Sequence, residues 1–267
     1  MAGKKKDTSL LHHLVGSRSL VWNLAKNDIK KKFAGSYFGV VWAFVQPVIT
    51  VLLYWFVFEK GLNSKATDLR TGIEIPFVLW LTAGLVPWFY FQEALNGGTG
   101  VLVEYSYLVK KVVFQIDMLP VVKMISALFT HLFFVAFTMV LFICMGYMPD
   151  WYALQVVYYS FCMILFATGL VYATSAVTVF FRDMKEVVGI LLQIGMWVTP
   201  IMWNFETMVQ IPGWAIAVLK LNPMYYIVSG YRNALINHIG FWEDMGITVY
   251  FWVVTAVILF LGTTVFK

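Results

Sequence analysis

Long, nearly uncharged runs constrain this sequence more than any other feature. A helix needs about 20 predominantly apolar residues to cross roughly 30 Å of hydrocarbon, and six stretches reach that length: 39–58, 76–95, 120–146, 152–181, 187–205 and 246–266. Lipid offers no partner to a free N–H or C=O, so such runs are expected as helices and not as open strands. Of 267 residues, 61% are hydrophobic and only 12% charged, about half the charged share of a soluble domain. Aromatic residues reach 18%, with eleven tryptophans, which suits anchoring at two membrane–water interfaces. The expected fold is an all-α polytopic membrane protein: a segment over 1–38, then a six-span domain over 39–267.

An even number of spans places both termini on one side, and Lys and Arg decide which. Lys4, Lys5, Lys6, Arg18, Lys26, Lys30, Lys31 and Lys32 precede the first run, Lys110, Lys111, Arg182 and Lys185 fall in the second and fourth loops, and Lys267 ends the chain. The opposite side receives Lys60, Lys65, Arg70, Lys220 and Arg232. Thirteen against five places both termini in the cytoplasm. No cleavable signal peptide is expected, because 38 residues with "KNDIKKKF" among them are too long and too charged. Cys144 and Cys162 lie in apolar runs and are expected as two buried free thiols, with neither a disulfide framework nor a zinc site.

The segments between the runs carry their own patterns. On a helix, Val21, Trp22, Ala25, Ile29 and Phe33 fall within a stripe about 120° wide, opposite Asn23, Lys26, Asn27 and Lys30, with Lys32 on its edge. This predicts an interfacial helix, apolar face in the acyl boundary and lysines toward anionic lipid head groups, followed by a hinge at "GSYFG". The stretch 96–119 opens with "NGGTG", read as a flexible break. It continues as "VLVEYSYLVKKVVFQIDMLP", too apolar for a free loop and too charged to span. A short helix lying across the membrane face is expected, with Lys110 and Lys111 exposed and Pro120 opening the third span. The long stretch 206–245, broken at "IPGW" and "LNPMYY", is expected to hold short helices that re-enter from the outer face. Between the fourth and fifth runs, "RDMKE" packs both charge signs into five positions. It reads either as a solvated hairpin or as a docking point for a cytoplasmic partner.

Nothing in the sequence energises transport or performs catalysis. No GxxxxGK[ST], HExxH, GxSxG or CxxC occurs. An ion-coupled carrier needs ionisable residues at membrane depth, and only His131 sits near a midplane. A single imidazole there is expected to make an interhelical hydrogen bond. Energy for any transport must come from another chain.

Four segments in order, "NDIKKKFAGSYFGVVWAFVQPVI", "YLVKKVVF", "FFRDMKEVVGILLQIGMWVTPIMW" and "LNPMYYIVSGYRNAL", resemble the membrane subunit of type-2 ABC exporters. Within these they resemble the permeases of teichoic acid and of lipopolysaccharide O-antigen. The resemblance runs from Asn27 to the end. Gln115 departs from it, since relatives often carry Pro there, and relatives continue past the position of Lys267 into a short basic tail. The resemblance implies a homodimer with two copies of a P-loop ATPase that binds ATP and Mg, with no cofactor in this chain, and a lipid-linked polysaccharide as cargo rather than nucleic acid. By position, 105–114 is similar to the coupling helix, placing Tyr105, Tyr107, Leu108, Lys110, Lys111 and Phe114 against the ATPase. Arg182 and Asp183 match the family's Arg-Asp pair and are expected to brace that element. Among the aromatics, Trp203, Tyr225 and Tyr226 are expected to line the path for sugar rings, and Trp55 to face lipid. Export of a drug or small lipid, a membrane-embedded transferase and a scaffold are the rival readings.

Overall fold

The computed structural model describes residues 18–32, 34–109, 116–203 and 212–267. In these segments the chain is mainly helical: α1 (Arg18–Lys32), α2 (Trp42–Trp55), α3 (Phe77–Thr99), α4 (Val101–Glu104), α5 (Ser106–Val109), α6 (Met118–Cys144), α7 (Gln155–Phe180), α8 (Met184–Val198), α9 (Gly213–Lys220), α10 (Pro223–Arg232) and α11 (Met245–Phe266). A 3-10 turn (Gly39–Val41) leads into α2 and a π turn (Phe56–Gly61) continues it. A two-residue hairpin, β1 (Ala66–Thr67) against β2 (Glu74–Ile75), joins α2 to α3.

Four helical stretches among the described residues are long and apolar enough to cross a membrane: Gly39–Gly61, Met118–Cys144, Trp151–Phe180 and Met245–Phe266. The runs at 76–95 and 187–205 differ from that expectation for separate reasons. α3 has the length, but 17 of its 23 residues are buried inside the bundle. Sheltered by α6, α7, α8 and α10, it accommodates the buried hydroxyls of Thr82 and Thr99. α8 has only 15 residues. It stops at Thr199, held extended before Pro200, because the proline ring disfavours a helical conformation at the preceding residue.

Glycines set the closest helix contacts. A Cβ on Gly262 of α11 would lie 2.0 Å from the Gly169 carbonyl oxygen of α7, and one on Gly98 would lie 2.4 Å from Val171 Cγ1. The second contact corrects the reading of "NGGTG" as a flexible break. α3 runs through it to Thr99, and Gly98 is there to admit Val171. Likewise the helix expected across 101–119 is interrupted, since α4 and α5 are separated at Tyr105. α6 begins at Met118, with Pro120 inside its first turn. Cys162 is buried as expected, whereas Cys144 is exposed at the end of α6.

Several polar side chains inside the bundle link helices to one another. His131 Nε2 lies 3.2 Å from Ser160 Oγ and 3.1 Å from Tyr231 Oη, joining α6, α7 and α10. α10 starts where Asn222 caps Met224 N at 3.0 Å and Pro223 takes the first helical position. Its last residue, Arg232, is buried, which corrects its assignment to the loop charges. The guanidinium lies 3.3 Å over the Trp80 ring centre and donates to the carbonyls of Pro200 (2.6 Å), Ile201 (2.7 Å) and Trp80 (3.3 Å). Only the planar five-donor fork of arginine can satisfy carbonyls from two elements while stacking on a ring.

At the same end of the bundle, the hairpin is tied to the turn after α10. Leu69 N donates to Asn237 Oδ1 at 3.1 Å and Arg70 donates to the His238 carbonyl. Burial acts to raise the Asp68 pKa, but hydrogen bonds from Thr71 and Arg70 outweigh it and hold the carboxyl below its usual value. The glycine crossing gives a direct test of packing. Gly262→Leu forces α7 and α11 apart and is expected to lower stability by about 1–3 kcal/mol or more. Gly189→Ala, where a Cβ meets nothing within 4 Å, is expected to change little. Thermal unfolding of the detergent-solubilised protein reads both.

Candidate functional site: a charged cavity beside the N-terminal helix

α1 packs on α6 through Val21 and Ala25, which meet Met118 and Val122. Asp28 follows on the same helical face, seven residues after Val21, and is 6% exposed. Its Oδ1 accepts from Lys123 Nζ and from the Tyr105 hydroxyl, both at 2.7 Å. Lys123 also reaches Glu104 at 2.9 Å. Burial, then the hydrogen bond to Asp28, push the Tyr105 hydroxyl pKa upward, so it stays protonated and remains a donor. One turn beyond Asp28, Lys32 pairs with Glu93 of α3 at 2.6 Å. Lys31 contacts the Tyr107 hydroxyl at 3.3 Å and lies over the rings of Tyr105 and Tyr107.

This ionic cluster forms the rim of a cavity of about 680 Å³ walled by α1, α2, α3, α6 and α8. Trp42, Gln46, Thr50 and Tyr54 of α2 line one side, and Phe89, Gln92 and Asn96 of α3 line another. Ser126 and Thr130 of α6 and Lys185 and Met196 of α8 complete the wall. The lining combines aromatic rings, amides and hydroxyls with the charged side chains of the cluster and of Lys185. Such a lining can stack on pyranose faces and exchange hydrogen bonds with many hydroxyl patterns without selecting one.

The residues expected from the sequence are distributed unevenly around this site. Tyr105 and Tyr107 belong to the cluster, Tyr105 buried and Tyr107 exposed. Leu108 is in α5, but its side chain, like Phe33, Lys110, Lys111 and Phe114, lies outside the described residues. Arg182 and Asp183 form the exposed turn before α8. Neither side chain makes a hydrogen bond or ion pair among the described residues, whereas Lys31, Asp28 and Lys123 make polar contacts to Tyr105, Tyr107 or each other. On α1, Val21 faces α6 rather than lipid, Ile29 is half-buried, and Trp22 is exposed with its ring 5.1 Å from that of Phe129.

None of the three path aromatics lines the cavity. Trp203 donates to the Trp197 carbonyl at 2.9 Å, and Tyr225 is half-buried. Tyr226 is a core residue, its hydroxyl 3.1 Å from both Tyr158 Oη and Thr248 Oγ1 and its ring stacked on Phe251. Trp42 and Tyr54 line the cavity instead, sharing one face of α2 with Gln46 and Thr50.

The family model of the ABC-2 type transporters matches residues 19–236, a range that includes α1, the cluster and every wall of the cavity. The chain belongs to the ABC-2 type transporter family. It is 24% identical to the O-antigen export system permease protein RfbA of Myxococcus xanthus over 229 residues, 86% of this chain and 85% of that protein. It is 20% identical to the O-antigen export system permease protein RfbA of Klebsiella pneumoniae over 228 residues, 84% and 83% of the two chains. This ABC-2 chain is therefore a multi-pass membrane permease.

The two kinds of ion pair at the rim should differ in worth. Lys123→Met leaves Asp28 charged and buried, and is expected to cost about 3–5 kcal/mol of stability. Glu93→Gln removes a partner from a pair whose side chains are 50% and 25% exposed, and is expected to cost about 1 kcal/mol or less. Thermal unfolding at low and high salt separates them, since only the exposed pair responds to screening.

Proposed function

We propose that the chain is the permease subunit of an ATP-driven exporter that moves a lipid-linked cell-envelope polysaccharide, of O-antigen or teichoic-acid type, across the cytoplasmic membrane. The observation that carries this reading is the match to O-antigen export permeases over more than four fifths of both chains. The cavity supports it, because a membrane protein has little use for an amide-, hydroxyl- and ring-lined recess unless its cargo is hydrophilic.

In this reading α3 and α8 complete six spans, α9 and α10 are short helices re-entering from the outside, and both termini are cytoplasmic. Two copies assemble with two P-loop ATPase subunits, which bind ATP and Mg. The ATPases engage the segment 101–114 beside α1. Nucleotide-driven closure of the ATPases pushes on that segment, and the cavity exchanges access between the two membrane faces. The permease performs no bond chemistry. Its work is to offer the polymer weak, repeated contacts.

Two measurements test this. Expressed with a P-loop ATPase partner and reconstituted in vesicles, the complex should move labelled lipid-linked polysaccharide only with ATP. Trp42→Ala should slow that movement about two- to tenfold, the worth of one ring contact, with folded protein unchanged. Movement of a small amphiphile but of no polymer would overturn the cargo assignment. For orientation, a background without Cys144 and Cys162 should label at Lys220→Cys from outside sealed cells and at Lys185→Cys only after permeabilisation. The reverse pattern would invert the topology.

A further inference from the structure

α1 is held by contacts of two kinds, and burial separates them. The Lys32–Glu93 pair is open to water. The Asp28–Lys123 pair is not: the two side chains are 7% and 12% exposed. The same Asp28 oxygen that accepts from Lys123 also accepts from Tyr105, itself 2% exposed. Lys123 in turn lies 5.5 Å from the Tyr105 ring centre and bridges to Glu104. One carboxylate oxygen therefore joins three elements, with Lys123 as its partner: α1, the Tyr105 corner between α4 and α5, and the start of α6. An exposed pair can let go to water and re-form at little cost. A buried one cannot, because separation strands a charge. Displacement of the 101–109 segment must then carry α1 and α6 with it. Asp28, Glu104 and Lys123 also stand on the cavity wall, so motion of the cluster changes the cavity mouth directly.

We propose that Asp28 is the transmission point of this permease, making α1, the 101–109 segment and α6 one mechanical unit through which an ATPase pressing on that segment reshapes the cavity. The inference rests on the reading of this segment as the ATPase contact. Asp28 is a positioning residue: it acts through Lys123 and Tyr105 and touches neither nucleotide nor polymer. Its charge is the essential property, since asparagine fills the same space and can accept from Tyr105 but cannot neutralise Lys123.

The test compares polymer moved per ATP hydrolysed by the reconstituted permease–ATPase complex. Asp28→Asn should keep ATPase binding and hydrolysis while this ratio falls at least about fivefold, the lower end of a site-to-site coupling. Tyr105→Phe, which removes one hydrogen bond and keeps the packing, should lower the ratio less. Lys123→Asp, which faces Asp28 and Glu104 with a third carboxylate, should lose more than Asp28→Asn, in folded complex as well as in this ratio, and the double exchange Asp28→Lys with Lys123→Asp should recover most of the loss. Glu74→Gln, which breaks the exposed Lys65–Glu74 pair on the hairpin away from the cavity, should stay near the parent. A parental ratio in Asp28→Asn overturns the inference, as does a double exchange no better than its single members. So does a loss of export that only tracks a loss of folded complex. Failure of the parent to bind any ATPase would remove the coupling reading as well, whereas normal coupling in Asp28→Asn removes the transmission role alone.

Discussion

In hydrocarbon an apolar side chain gains little by turning from lipid to protein, so helices must be held by close approach and by polar contacts. The whole arrangement follows from that constraint. Close approach is met at Gly98 against Val171 and at Gly262 against Gly169, where backbones come near enough that any side chain would clash. Polar contact is met by His131 with Ser160 and Tyr231, and by Arg232 with carbonyls from α3 and from the turn after α8. Every one of these contacts touches α3, α7 or α10. These elements form the packed block on which the lipid-facing helices lean.

The same constraint explains what could be read in the sequence. α2, α6 and α11 were legible because each leaves most of its apolar window uncovered by this chain, and a face that meets lipid must be apolar along its whole length. α3 was read as a run over 76–95, but as an enclosed helix it also carries the buried Thr82 and Thr99, and it is not among the stretches apolar enough to span by composition alone. Glycine was ambiguous by nature. "NGGTG" signals flexibility or close approach equally well, and only the position of Val171, some seventy residues away, decides between them. The residues around "IPGW" and "LNPMYY" were read well as breaks, because Pro212 and the Asn222 cap with Pro223 act locally.

The site was less legible than the fold. The stripe on α1 correctly marked Val21 and Ala25 as apolar contacts, but its centre is displaced toward Asp28, a residue that the pattern of apolar side chains passes over. A charged residue on a buried face is invisible to periodicity until its partners are known, and here Lys123 and Tyr105 come from 95 and 77 positions further along the chain. Arg232 was misplaced for the same reason. Counting charges assigns each to water, and a buried arginine is satisfied only by carbonyls that the fold delivers.

The packed block contrasts with α2 and α8. In the span built on α2 only 6% of the apolar window is buried within this chain, and α8 leaves Ile190, Leu191, Ile194 and Trp197 more than half exposed. Both helices border the cavity, α2 through Trp42, Gln46, Thr50 and Tyr54 and α8 through Lys185 and Met196. The entrance to α2 is also conformationally distinctive, since Gly35 and Gly39 take left-handed φ values of 86° and 54° with open space around them. The cavity thus has firm walls on α3 and α6 and lightly held walls on α2 and α8. In the proposed homodimer the exposed apolar ridges of those two helices are the surfaces a second copy would cover, and covering them would close the open side of the recess. A path that must admit a polymer and exclude ions is better served by movable walls of this kind than by a channel bored through the packed block.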